Sequence, residues 1–209
     1  MSPSPRADTL AASPPMFRSR WLDRLTRVHP SVPAILFVPF IALMATRGVH
    51  RLGWGPALVW IAGGYALWTL TEYWLHRALF HFEPSSGIGQ RLHWMMHGVH
   101  HDHPNDPLRL VMPPSVSVPM AALFYLLFHR MVGPERTPAL AAGFAMGYLA
   151  YDMLHYAVHH APPKTRLFRF LRTLHLRHHF EDDHAGYGVS APYWDHVFGT
   201  AFRGRRADD

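Results

Sequence analysis

The chain has no cysteine. Disulfides are therefore excluded, and so is any thiolate metal ligand, which leaves the redox compartment unspecified by sulfur chemistry. Charge is also scarce. Only 16% of the 209 residues are Asp, Glu, Lys or Arg, against 49% hydrophobic, too little polar surface for an ordinary soluble globule of one domain. Several catalytic signatures are missing as well. HExxH is absent, which argues against a zincin-type protease, and so are GxSxG, the P-loop and GxGxxG. No pair of ExxH motifs is present, so a soluble carboxylate di-iron bundle does not fit. The formal charge of +6 comes almost wholly from Arg. With no nucleic-acid motif and no separate basic domain, that excess points to anionic lipid or to membrane topology, not to nucleic acid.

Residues 1–15 are polar and rich in Pro, Ser and Ala, without the apolar core of a secretory signal, and read as a disordered arm. Residues 16–30 read as a basic amphipathic helix on a membrane surface, with Phe17, Trp21, Leu25 and Val28 on one face and Arg18, Arg20, Arg24 and Arg27 mainly elsewhere. Residues 31–209 form one membrane domain. Within it, apolar stretches at 31–50, 56–75, 114–131 and 138–155 each approach the ~20 residues that cross a bilayer. The expected fold is thus an all-α integral membrane protein of four transmembrane helices in two hairpins. Their short turns lie at Arg51–Gly55 and Gly133–Thr137. Of the 20 basic residues, all but Arg47, Arg51, Arg130 and Arg136 fall on the side of the two termini. The positive-inside rule therefore places both termini in the cytoplasm.

Eighteen residues are His, and ten fall in four clusters on that same side: His76 and His81; His97, His100 and His101; His155 and His159; His175, His178 and His179. Spacings of three and four put ligands on one face of a helix. His76 and His81, five apart, share a face only if the helix ends or bends near Arg77–Phe80. Four ligands suit a tetrahedral ion and six an octahedral one, so ten imidazoles suit two ions. They would sit in a cytoplasmic helical cap. Glu72, four residues before His76, and Asp152, three before His155, could each accept the ring N–H of a ligating His. Trp94, Met95, Met96, Leu110, Val111, Met112, Tyr187 and Trp194 are candidates to line a substrate groove. Asp195 and His196 read as residues that hold the C-terminal segment. The remaining histidines, including His29, His50 and His129 at membrane edges, read as ordinary polar side chains.

The motifs HRALFH (76–81), HGVHH (97–101), RLVMPP (109–114), YDMLHYAVHH (151–160), HLRHH (175–179) and GYGVSAPYWDHVF (186–198) resemble the fatty acid hydroxylase superfamily of membrane dimetal enzymes, which also holds sterol desaturases. The resemblance is closest to the fatty acid 2-hydroxylases and covers about residues 65–200. By position it implies the same ten histidines as ligands, with no catalytic side chain beyond the metal centre. It implies two metal ions, iron in function, although zinc can occupy such sites. It implies O2-dependent hydroxylation at C2 of a fatty acyl chain, free or in a sphingolipid of ceramide type. The eukaryotic members commonly carry a fused cytochrome b5 domain with an HPGG motif. Here His29-Pro30 is followed by Ser31-Val32, so the expected electron donor is a separate protein, cytochrome b5-like or a ferredoxin. Two other classes stay open: a related lipid desaturase, sterol oxidase or headgroup hydroxylase, and a metal-binding or metal-transporting membrane protein. The last predicts ligands along the middle of the spans, and these gather at one end.

Overall fold

The computed structural model describes residues 5–202. Residues 1–4 of the N-terminal arm, and Arg203, Arg205 and Arg206 of the basic tally, lie outside them. All regular elements among the described residues are helical. Two short helices, α1 (Pro5–Leu10) and α2 (Arg20–Leu25), precede α3 (Ser31–Leu52) and α4 (Trp54–Trp74). The smaller helices α5 (Gly87–His93) and α6 (Val99–Asp102) follow, then the long α7 (Pro114–His160), α8 (Arg166–Phe180) and α9 (Tyr193–Val197).

The expectation of four separate spans is corrected. Among the described residues two helices are long and apolar enough to cross a membrane, Val32–Leu52 and Pro114–His160. Helix α4 falls short because Gly, Thr, Trp and Tyr and the carboxylate of Glu72 dilute its aliphatic content. The stretches 114–131 and 138–155 belong to one helical element, whose backbone breaks at Gly133 (φ 78°, ψ 169°). That element folds back on itself. Twenty residues of straight helix extend ~30 Å, yet the rings of Phe124 and Phe144 lie 4.6 Å apart. Gly53, between α3 and α4, takes nearly the same left-handed conformation (φ 77°, ψ 167°), which a residue with a Cβ rarely adopts. The two reversals sit side by side, for the Arg51 guanidinium donates to the carbonyl of Pro134 at 2.5 Å.

The inner surfaces pack through aromatic rings. Trp68 meets Phe144 and Tyr148 edge-on at 5.1 and 5.3 Å, and Phe37 meets Tyr148 at 4.7 Å. The outer surfaces are apolar too: Ile35, Val38, Val59, Leu123 and Leu126 are all exposed. A surface of this kind is stable against lipid, not against water, and the chain is an all-α membrane protein. Helices α4 and α7 come into backbone contact. A Cβ at Gly143 would collide with the Ile61 carbonyl, and one at Gly64 with the Leu140 carbonyl. Small residues permit such approach between apolar helices. Gly143→Leu is therefore expected to force α4 and α7 apart and to lower Tm by about 6–12 °C (on the order of 3 kcal/mol of overpacking), measured by thermal unfolding in detergent.

Candidate metal centre

The ten clustered histidines come together at one end of the helices. α4 runs straight into a π-helical turn, Leu75–Phe80, closed by the His81 amide on the carbonyl of His76 at 3.1 Å. A hydrogen bond spanning five residues widens the turn, so the five-residue spacing brings His76 and His81 to one side, with ring centroids 5.0 Å apart. The chain then leaves the helix after Phe80, near the expected place. A second π-turn, Trp94–Gly98, delivers His97, and α6 delivers His100 and His101. The last turns of α7 carry His155 and His159, and α8 carries His175, His178 and His179.

The rings sort into two groups of five: His76, His81, His97, His101 and His178, and His100, His155, His159, His175 and His179. Within each group the ligand nitrogens all lie within 4.8 Å of one another. The groups adjoin, with His101 of one stacked on His179 of the other at 4.2 Å. In the first group Nε2 of His97 stands 3.2 Å from Nε2 of His76 and 3.0 Å from that of His101, and Nε2 of His178 stands 3.0 Å from that of His81. In the second, Nε2 of His175 is 2.8 Å from that of His159 and 3.0 Å from that of His179, and Nε2 of His155 is 2.9 Å from that of His100. Nitrogens at right angles about one ion, each ~2.1 Å from it, are ~3.0 Å apart.

Hydrogen bonds cannot account for this convergence. His76 Nδ1–H donates to the carbonyl of Tyr187 at 2.7 Å, which leaves its Nε2 a bare lone pair. His97 must then donate to His76 and so cannot also accept from His101. His178 is fixed in the same way, Nδ1–H donating to the carbonyl of Ala185 at 2.7 Å. Imidazole nitrogens that converge in a buried site in more contacts than their N–H groups can serve call for a cation among them. Burial first, and the neighbouring imidazoles second, hold His76, His97, His175 and His179 well below the usual histidine range. His101 is pushed down to about 3 and His81 to about 2. The rings are thus neutral near pH 7, the form that ligates. The residues present fit two metal ions, and five imidazoles would hold each.

The carboxylates are placed differently from expectation. Glu72 accepts from the Ser190 amide at 2.7 Å and from the Ser190 hydroxyl. Asp152 accepts from the Met112 amide at 3.2 Å and the Tyr148 hydroxyl at 3.3 Å. Neither meets a histidine; at His76 and His178 the main-chain carbonyls of Tyr187 and Ala185 take the Nδ1–H instead. Sequence reasoning assigned this task to carboxylates; main-chain carbonyls have no sequence signal. Asp195 does hold the C-terminal segment, accepting from the amides of Tyr187 and Gly188, both at 2.9 Å.

A cavity of about 530 Å³ opens beside the two groups and reaches His97, His100 and His155. Met95, Met96, Leu110, Val111 and Met112 line it, as do Phe80 and Met120, which the sequence reading did not name. Trp94, Tyr187 and Trp194 do not. Trp94 donates to Asp102 at 2.8 Å, Trp194 donates to Thr69 at 3.1 Å, and the Tyr187 ring packs among His76, His81 and His178. Bystander histidines have other partners: His93 bonds the Phe80 carbonyl at 2.6 Å and His103 that of Thr9 at 2.7 Å.

The sequence profile described as fatty acid hydroxylase matches residues 61–200, the stretch that carries all ten rings. The chain belongs to the fatty acid hydroxylase family. A dihydroceramide fatty acyl 2-hydroxylase of Arabidopsis thaliana is 37% identical over 188 residues, covering 90% of this chain and 79% of the relative. A fatty acid 2-hydroxylase of Rattus norvegicus is 41% identical over 141 residues, 66% of this chain and 38% of the relative. Among solved structures, one described as full-length scs7p, with only the hydroxylase domain visible, superposes with a TM-score of 0.84 at 34% identity. It covers 90% of this chain and 72% of that one. The family's enzymatic character and the paired histidine groups agree: this is an enzyme with a candidate dimetal site at one end of an apolar helical body.

Proposed function

We propose that the chain is a membrane-bound hydroxylase that inserts one oxygen atom of O2 at C2 of a fatty acyl chain, free or carried on a ceramide-type lipid. The observation that carries this reading is the junction of the paired histidine groups with an apolar cavity: His97 and His100, one from each group, and His155 stand at the cavity wall. The 2-hydroxylase relatives support the position on the acyl chain.

The ten histidines are the proposed ligands, and iron the proposed metal. When bound, the metal pair supplies the reduction of O2, a chemistry zinc lacks. The balance is one C–H bond, O2, two electrons and two protons giving one C–OH and one water. The electrons come from a separate donor of cytochrome b5 or ferredoxin kind. The protein's own share is to exclude water with Leu110, Val111 and Met112 and to hold the methylene near the ligands. The carboxyl or amide end of the acyl group carries the polar atoms, so C2 reacts only if that end stops at the histidine edge while the tail runs into the cavity.

The centre faces the cytoplasm in this proposal, with both termini on that side. Arg77, Arg91, Arg109, Lys164, Arg166, Arg169, Arg172 and Arg177 belong to or flank the segments that carry the histidines, whereas Arg47, Arg51, Arg130 and Arg136 lie near the reversals at Gly53 and Gly133 in the chain. Expression in a host lacking 2-hydroxylated lipids, under isotopically heavy O2, tests the reaction. Acyl chains heavier by one labelled oxygen, located at C2 by fragmentation mass spectrometry, are expected. Loss of two hydrogens, or a hydroxyl on the headgroup, would instead assign a desaturase or a headgroup hydroxylase.

A further inference from the structure

The histidines, the two π-turns and residues from both ends of α7 line much of the cavity. The rest of its lining includes a segment that carries none of the ten histidines. Met16, Phe17, Leu22, Leu25 and Thr26 line the same cavity as His97, His100 and His155. This segment carries its own fastening. Arg109, whose side chain is 2% exposed, donates to the Asp23 carboxylate at 3.1 Å and to the Pro14 carbonyl. Asp23 also accepts from the Met16 amide at 2.7 Å and from Arg27 at 3.2 Å. Arg27 in turn donates to the Ser13 carbonyl at 2.9 Å, and the Ser13 hydroxyl donates to Asp106 at 2.5 Å. The Val28 amide closes the set on the Leu108 carbonyl at 2.7 Å. A buried guanidinium is costly to desolvate and is held by carboxylates beside it; the Arg109 Nε, without a hydrogen bond, stands 3.9 Å from the Asp106 carboxylate. Here that pairing ties residues 13–28 to the 106–109 loop.

The outer side of the same segment is apolar and basic. Trp21 is 78% exposed and Leu25 62%, with Arg18, Arg20 and Arg24 exposed between them. An apolar face flanked by Arg suits the interface of an anionic bilayer. Leu22 and Leu25 are both cavity lining and outer surface, as are Leu79, Leu92, Met96 and Val116, and the flanking Arg side chains are what distinguish this side.

We infer that residues 13–28 are the wall past which an acyl chain enters the cavity from the bilayer, and that Asp23 and Arg109 are positioning residues that set the wall's place against the bound tail. The inference rests on the hydroxylase reading for the identity of the acyl ligand. Its effect is on binding rather than on the chemical step, since the wall contributes none of the ten histidines. Asp23→Asn is expected to raise KM for a long-chain ceramide about tenfold while kcat stays within about twofold, the signature of lost binding shared by ground and transition states. Metal content should be unchanged.

Because the chain has no cysteine, single thiols report the wall directly. Thr26→Cys in the full chain, in detergent micelles, should react with a maleimide, and saturating long-chain ceramide should slow that reaction about tenfold. Ser85→Cys, exposed and away from the cavity, should be indifferent to ceramide. A Thr26→Cys thiol whose reactivity ignores the lipid, or an Asp23→Asn variant that loses kcat or metal with KM unchanged, overturns the wall. Protection without any 2-hydroxy product leaves the wall standing and sinks the hydroxylase reading; product without protection does the reverse.

Discussion

Replacing His155 with alanine is expected to lower hydroxylation by at least ~10³-fold and to reduce bound metal from two ions towards one. His155 Nε2 is 2.9 Å from Nε2 of His100, and both belong to the group completed by His159, His175 and His179. Removing one of five imidazoles leaves a hole that water can fill, and the four others still converge. Affinity for that ion should fall further than the ~10- to 100-fold typical of losing a partner that merely orients a ligand. The other group has its own five rings and its own carbonyl anchors at Tyr187 and Ala185, so its ion should stay. His81→Ala is the mirror experiment: it should empty the first group and spare the second. Metal analysis after gel filtration, at two protein concentrations, reads both. A variant that retains two ions and full turnover removes its histidine from the ligand set. Activity loss alone is the weaker result, because a misfolded cap would also give it, whereas retention of one ion by a folded protein would not follow from misfolding.

The partition into two groups was not legible in the sequence, although the ten members were. Spacings of three and four report a shared helical face, and that is why His97, His100 and His101 were found together. The same rule is blind to which side of a short helix faces which ion: neighbours His100 and His101 go to different groups. The π-turns were visible only as a puzzle. A five-residue gap at His76–His81 demanded a departure from α-helix, and the widened turn supplies it before the helix ends at Phe80. Span counting failed for a related reason. Hydropathy registers composition, and α4 holds its place by backbone contact through Gly64 and Gly143 and by aromatic packing around Trp68, not by aliphatic content. The groove residues split. Leu110, Val111 and Met112 of the RLVMPP motif line the cavity with Met95 and Met96, whereas Trp94, Tyr187 and Trp194 pack elsewhere.

Asp195→Ala should cost nearly as much as losing a ligand, although Asp195 touches no ligand nitrogen. Asp195 is 3% exposed, and its carboxylate accepts three bonds: from the Tyr187 amide at 2.9 Å, the Gly188 amide at 2.9 Å and the Thr200 hydroxyl at 2.8 Å. The Tyr187 carbonyl in turn takes the Nδ1–H of His76. One peptide unit therefore separates the carboxylate from the group that fixes a ring's tautomer. Without Asp195, two buried amides lose their acceptor, at roughly 1–3 kcal/mol each, and the 185–190 segment can shift. His76 would then be free to take its proton on Nε2, the wrong nitrogen for ligation. The expected result is a ~10- to 100-fold weaker hold on one ion only, with the second ion, held by His100, His155, His159, His175 and His179, unaffected. Graded chelation followed by metal analysis separates the two. Asp195→Asn, which keeps one acceptor oxygen and the side chain's shape, should fall between wild type and Asp195→Ala. A role limited to packing predicts something else: both ions lost together, in step with unfolding, and no recovery by Asn.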